Sequence, residues 1–295
     1  MTEMETDSGS ARAGERELLT PDLVQRIEER FRHDLQRSRH RRRVQRLMLN
    51  VAGVILFLIV WEVAPRVVPG VNLQMFPPPS GVVGTLWDLI ASGELAGHAW
   101  SSLKRAIAGF VLGSTAGILV GLLTGRLMML RDLSDPVLHS LRSIPSIAFV
   151  PLAIVWFGLG ETPKIALITW GTFFPVWVNT FIGVRDVPNI YVRSAASLGA
   201  SPTGIMLQVV LPAALPFIIA GLRQATAVAF VILVAAELVG ASSGLGYLIS
   251  FSHLVFRVDM MFVGLMALGA LGFLADTLFA ASLDRIFPWY GAEAR

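Results

Sequence analysis

Residues 240–244 read Gly-Ala-Ser-Ser-Gly and match the nucleophile pattern G-x-S-x-G. A serine in that pattern attacks only on a strand–turn–helix with an oriented base. Here it follows a long apolar run, and His253, the nearest histidine, has no acid placed behind it by sequence. Acyl-transfer chemistry is therefore not expected. The chain also contains no H-E-x-x-H and no G-x-x-x-x-G-K-[ST], so neither an intramembrane zinc protease nor P-loop ATP binding has a motif to stand on. Cysteine is absent, which removes disulfides and thiolate metal sites. The residues read as a chain that is not an enzyme and carries no cofactor or metal of its own.

The remaining candidates are polar groups in apolar surroundings, where ionisable side chains are costly. Glu62, Arg223, Glu237 and Asp276 lie in or at the ends of apolar runs. Arg223 and Glu237 are separated by about 21 Å along a helix, at about 1.5 Å per residue. They cannot pair on one straight helix, so each needs another partner or water. Structural pairing and a substrate pathway are both open. Thr169, Thr172, Asn179 and Thr180 share one run with Pro175, and Gln224 adjoins Arg223. Thr169, Thr172, Asn179, Arg223, Gln224 and Glu237 are the substrate-path candidates; such groups equally hydrogen-bond between helices.

These residues must be held by membrane helices. The chain is 54% hydrophobic and 15% charged, with a mean hydropathy of +0.64, whereas soluble domains carry roughly 25% charged residues. A span needs about 20 mostly apolar residues, and six runs qualify: 47–64, 105–125, 143–159, 164–184, 211–240 and 260–281. The third is short and carries Pro145 and Pro151. The expected fold is an all-α polytopic membrane protein, with residues 1–46 as a basic arm and 47–295 as the transmembrane domain. Residues 65–104, with FPPPS at 76–80, read as an extracytoplasmic turn and an interfacial helix that sets Trp87 and Trp100 at headgroup depth.

The arm is rich in arginine. A basic stretch suits nucleic acid or anionic lipid; beside an apolar span it reads as a cytoplasmic flank near lipid. No nucleic-acid partner is expected. Thr20-Pro21-Asp22 looks like a helix start, and Leu23, Ile27, Phe31 and Leu35 recur every four residues, which suggests an amphipathic helix on the membrane surface or a solvated one. The first apolar run follows this long arm, so it reads as a retained anchor rather than a signal peptide. Lys and Arg concentrate in alternate segments, which places both termini in the cytoplasm of a multi-pass protein of the plasma or inner membrane.

In the second run Gly109, Gly113, Gly117, Gly121 and Gly125 recur every four residues. Residues four apart share a helix face, and glycine lets another backbone approach. A tight mobile core, a subunit interface and static packing within the chain all fit.

Between the fourth and fifth runs, residues 193–212 read RSAASLGASPTGIMLQVVLP. Tyr191 to Leu198 suits a short helix, Gly199 to Pro202 a turn, and Ser201 a cap for a second helix over Thr203 to Val210, with Pro202 in its first turn. Pro212 then opens the next span. A compact helix–turn–helix of small residues suits a groove on a soluble partner.

This segment resembles the cytoplasmic motif of binding-protein-dependent ABC importer permeases, E-A-A, then glycine, then I-x-L-P. Ala195, Gly199, Ala200, Ser201, Leu211 and Pro212 keep its spacing; Arg193 stands where the family usually has Glu, Ser194 where it has the first Ala, and Val209 replaces Ile. SLKRAIAGFVLG, DPVLHSLRSIPSIAFVPLAIVWFGLG, LPAALPFIIAGLRQA and SGLGYLI resemble the nitrate/sulfonate/taurine branch. The resemblance implies a type I importer permease (MetI-like) core. It implies a second permease chain, taken as a second copy, and an extracytoplasmic substrate-binding protein. It implies two separate ATP-binding subunits that hold ATP and Mg and receive residues 193–212. The cargo it implies is a small oxyanion: an aliphatic sulfonate, taurine or nitrate. A gradient-driven secondary transporter is the alternative; it often shows inverted repeats, none is evident here, and it leaves the cytoplasmic motif unexplained.

Overall fold

The computed structural model describes Gln45 and residues 48–286. The expected amphipathic helix on Leu23, Ile27, Phe31 and Leu35 lies outside the described residues. All regular elements among those described are helical. They are α1 (Met48–Val67), α2 (Pro79–Ala91), α3 (Glu94–Arg126), α4 (Met128–Arg142), α5 (Val150–Phe157, entered by a 3-10 turn at Ser146–Phe149), α6 (Glu161–Arg185), α7 (Asn189–Ser197), α8 (Pro202–Gly240), α9 (Leu245–Leu254) and α10 (Val258–Ile286). The chain divides into two compact units at Val67 and Val68.

The first unit contains α1. Its apolar side chains are exposed, as a lipid-facing helix requires. Phe57 packs on Trp61, and Arg66 pairs with Glu62 one turn earlier at 2.5 Å, so the charge of Glu62 is answered within the helix.

In the second unit, α2 turns Val82 and Leu89 onto Leu248 of α9 and Met260 and Val263 of α10. Its Thr85 hydroxyl donates to Asp259 at 2.6 Å. The other face of α2 exposes Val83, Trp87 and Ile90, and Trp100 of α3 is exposed too. Here α3 starts at Glu94 rather than near 105, so Trp87 and Trp100 stand on different helices.

Five described helices are long and apolar enough to cross a membrane, six if one bent pair counts as a span. Only its second helix falls in the third expected run, 143–159; α4 precedes that run. The pair runs from α4 through the 3-10 turn into α5 and bends by 85°. The bend falls at Ile144-Pro145, where a proline drives the preceding residue out of helical geometry. The fifth span also differs: α8 begins at Pro202 and passes through a π turn at Met206–Val210 before Pro212. A proline ring clashes with the carbonyl four residues back and leaves it without its N–H partner. The wider π turn just ahead of Pro212 is a usual way to absorb such a defect.

The bundle is organised around α6, the most enclosed long helix. It lies parallel to α3 and antiparallel to α8. The glycine ladder of α3 creates the first contact: Gly109 meets Ile168, Gly113 Thr172, Gly117 Val176, Gly121 Thr180 and Gly125 Val184, in constant register. The ladder therefore packs within the chain. A Cβ at Gly121 would stand 2.6 Å from that of Thr180, and one at Gly113 would strike the Thr172 hydroxyl and the Thr169 carbonyl. Trp177 is fully buried in the same seam and donates its indole N–H to Thr124 Oγ1 at 3.2 Å. On the other side of α6, Gly183 admits Phe217 of α8, and Gly221 of α8 lies against Asn179 and Pro175.

Overpacking of a tight core costs about 1–3 kcal/mol. Gly113→Ala is therefore expected to lower the thermal unfolding midpoint in detergent by several degrees. Gly269→Ala, on α10 with open space around it, is expected to leave it unchanged or raise it. Equal midpoints for the two variants would refute the close-approach account of the ladder.

Candidate functional site

At the end of the bundle where α3 and α6 begin and α8 finishes, Arg105 is 2% exposed. All five of its N–H groups are matched. Nε and Nη2 grip Glu161 at 2.5 and 2.7 Å. Nη1 donates to Glu237 at 2.7 Å and to the Ser243 carbonyl at 2.6 Å, and Nη2 donates to the Ser243 hydroxyl at 2.8 Å. Glu237 is 1% exposed and also accepts from the Ser102 hydroxyl and from the Gly246 N–H at 2.9 Å. Ser102 Oγ in turn accepts from the Leu245 N–H at 2.8 Å. Buried Lys164 approaches Glu161 at 3.5 Å. Two buried cations thus face two carboxylates, with the Glu161 side chain 57% exposed at the rim.

This network disposes of the G-x-S-x-G reading structurally. Ser243 accepts from a guanidinium and has no base, and no described histidine hydrogen-bonds Ser242 or Ser243. His98 instead accepts the Gly244 N–H on Nδ1 at 3.0 Å. Gly244, at φ +113°, leaves no room for a Cβ beside Glu237 and Arg105. The turn is a clamp that fastens α9 to α3 and α8. Arg105 stands at the border of the second expected run, where a charge reads as interfacial. It lies four residues before Gly109, so it continues the face of the ladder, and that register was the available signal.

At the opposite end, α7 closes with a full Schellman motif. The Ala200 N–H donates to the Ala195 carbonyl at 3.1 Å and the Gly199 N–H to the Ala196 carbonyl at 3.0 Å. Gly199 takes φ +81°, with nothing near its absent side chain. Ser201 then caps α8, its hydroxyl accepting the Gly204 N–H at 3.1 Å, with Pro202 in the first helical position. Val192, Ala195, Ala200, Ile205 and Leu211 tuck against Val184 and Ala214. Arg193, Ser194 and Pro212 are exposed. So are Ile190 and Tyr191, and Leu198 at the tip of the turn is 88% exposed. The second helix expected over Thr203 to Val210 is the first part of α8 rather than a separate element.

The six path candidates separate into four groups. Glu237 belongs to the Arg105 network. Thr172 is fully buried, and its hydroxyl bonds the Ile168 carbonyl of its own helix at 2.8 Å. Thr169 lines an apolar groove of about 590 Å³ between α3, α4 and α6, with Trp170 and Phe173 beside it. Asn179 and Gln224 meet on another face, where Asn179 Nδ2 donates to Gln224 Oε1 at 3.4 Å; Arg223 precedes Gln224 on α8, and both are exposed.

A helical bundle of this length and apolarity, with a capped helix–turn–helix between two spans, defines a polytopic membrane protein. Residues 113–288 match the family described as binding-protein-dependent transport system inner membrane component. The putative aliphatic sulfonates transport permease protein SsuC of Bacillus subtilis is 37% identical over 79% of this chain and 84% of its own. The taurine transport system permease protein TauC of Escherichia coli is 33% identical over 84% of this chain and 91% of its own. Among solved structures, a chain of the inward facing MetNI methionine ABC transporter superposes with a TM-score of 0.52 at 23% identity, covering 66% of this chain and 94% of that one. The chain belongs to this family of inner-membrane transport components and is the permease component of an ABC importer.

Removing one member of a buried ion pair costs about 3–5 kcal/mol, because the other charge is left uncompensated. Glu237→Leu is expected to lose that much stability in detergent, and Arg105→Met with Glu237→Leu is expected to recover a large part. A double variant no better than the single one would contradict the charge-pairing account.

Proposed function

We propose that the chain is the membrane-spanning subunit of an ATP-driven importer for a small oxyanion of the aliphatic sulfonate, taurine or nitrate class. Two copies form the path, and both termini lie in the cytoplasm. An extracytoplasmic binding protein delivers the ligand. Two separate subunits bind and hydrolyse ATP with Mg, and each receives residues 193–212 in a surface groove. ATP supplies the bias, and rigid movement of this segment switches the side to which the path opens.

One observation carries the reading: Leu198, 88% exposed, is held at the tip of a doubly capped turn. The Schellman bonds and the Ser201 cap fix that turn from both sides, so a push on it reaches α6 and α8 without being lost in a flexible loop. Exposed Ile190 and Tyr191 extend the apolar surface. Arg193, in place of the glutamate usual in the family, means that docking here relies on shape and apolar contact more than on an acidic side chain. The sulfonate and taurine relatives support the cargo class.

The test is co-purification from native membranes in mild detergent. An ATP-binding subunit is expected at one copy per permease. Leu198→Asp is expected to lose that subunit while unfolding at the wild-type temperature. A residue other than glycine in the left-handed region costs about 1–2 kcal/mol, and asparagine tolerates it best. Gly199→Val is therefore expected to abolish ATP-driven uptake in vesicles and Gly199→Asn to retain most of it. A chain that purifies alone, or a Leu198→Asp variant that keeps its ATPase, would overturn the coupling assignment.

A further inference from the structure

Arg223 stands near the middle of the apolar part of α8, about 18 Å from Leu211 and about 24 Å from Val239 at roughly 1.5 Å per residue. It is exposed, and no carboxylate, aromatic ring or backbone carbonyl of the described residues answers it. An arginine stem spans far less than either distance, so its charge cannot snorkel to an interface. A bare guanidinium in hydrocarbon is among the costliest arrangements in a membrane, so this face of α8 meets water or a countercharge.

Its surroundings favour a mobile anion. Gln224 Oε1 is occupied by Asn179 Nδ2, whose other bond goes to the Pro175 carbonyl at 2.8 Å. The carboxamide oxygen of Gln224 is thus held against α6, and no acceptor among the described residues takes its N–H₂, one residue along α8 from Arg223. Gly221 makes this possible, because a Cβ there would stand 2.9 Å from that of Asn179. Glu237, the acid farther along α8, is spent on Arg105, Ser102 and Gly246. The cluster offers donors and positive charge with no acid of its own.

We propose that Arg223 and Gln224, braced by Asn179, form an oxyanion-binding station halfway along the transport path, open to water and facing the same station on a second copy. The guanidinium takes a sulfonate, nitrate or carboxylate through parallel N–H bonds. The proposal rests on the oxyanion-importer reading and names the residues that touch the cargo within the membrane.

The absence of cysteine makes the test direct. Gln224→Cys in the assembled importer, in native membranes, is treated with an anionic sulfonate-bearing methanethiosulfonate and with its cationic trimethylammonium counterpart. Modification by both is expected, while Phe273→Cys, on an exposed apolar face of α10, stays unmodified. The anionic reagent is expected to react relatively faster, and adding Arg223→Gln is expected to reverse that preference by about tenfold, the value of one charge-assisted hydrogen bond. In taurine uptake, Arg223→Gln is expected to raise KM at least about tenfold and Arg223→Lys to restore most of the loss. An inert Gln224→Cys, an unchanged reagent preference, or rescue of Arg223→Gln by Asp276→Asn would overturn the proposal; the last result would make Arg223 a structural countercharge between copies. If the wild type imports no oxyanion, the importer reading for this cargo fails, and the labelling still decides whether the station is wet and anion-selective.

Discussion

The seam between α3 and α6 governs the structure. In lipid, burying an apolar side chain against another gains little, because the alternative neighbour is also hydrocarbon. Helices associate there by dispersion at short range and by polar contacts. Five glycines at one spacing turn a whole face of α3 into backbone, and the branched side chains of α6 fit against it: Ile168, Thr172, Val176, Thr180 and Val184. Contact continues along both helices, so they move as one body. Trp177 and Thr124 close the seam at one end and Arg105 with Glu161 closes it at the other.

With that pair fixed, the rest is attached in ways that differ in stiffness. The clamp of Ser102, Arg105, Glu237 and residues 243–246 ties the end of α8 and the start of α9 to α3 through charge and directed hydrogen bonds, which break all at once or not at all. At the opposite end, α7 and the start of α8 are held by small apolar contacts with Val184 and Ala214. Small side chains slide at lower cost than a buried ion cluster opens. A force applied at the Leu198 turn therefore meets compliant packing first and the rigid clamp last. That gradient is consistent with the rigid movement proposed for the coupling segment.

Legibility followed the range of the interaction. The α7 turn was readable because its grammar is local: a glycine, a serine cap and a proline within four residues. The ladder was readable as a face, but its partner was not, since nothing in α3 says which helix fills it. Arg105 was misjudged for a related reason: on its own helix it looks like an interfacial charge, and only Glu161 and Glu237, from two other helices, make its burial tolerable. The third run was drawn over 143–159 because α4, with Arg131, Asp132, Asp135 and Arg142, is too polar for hydropathy to join to it, whereas the structure pairs α4 with α5 across a bend of 85°. Pro212 misled too. It looked like a boundary, and a π turn lets α8 continue through it.

The ionisable residues of the spans were set apart as one class by their cost, and the structure divides them. Glu62 is answered one turn away, and Glu237 is neutralised by a network that satisfies every donor of its arginine. Their cost is already offset within the chain. Arg223 is different, because it adjoins Gln224 of the bonded Asn179–Gln224 pair and no acid among the described residues pairs with it. A charge that no described residue answers within an apolar helix calls for water or a countercharge. Under the proposed oxyanion station that partner is the cargo, and a weakly hydrated guanidinium that holds an anion by a few bonds can also release it.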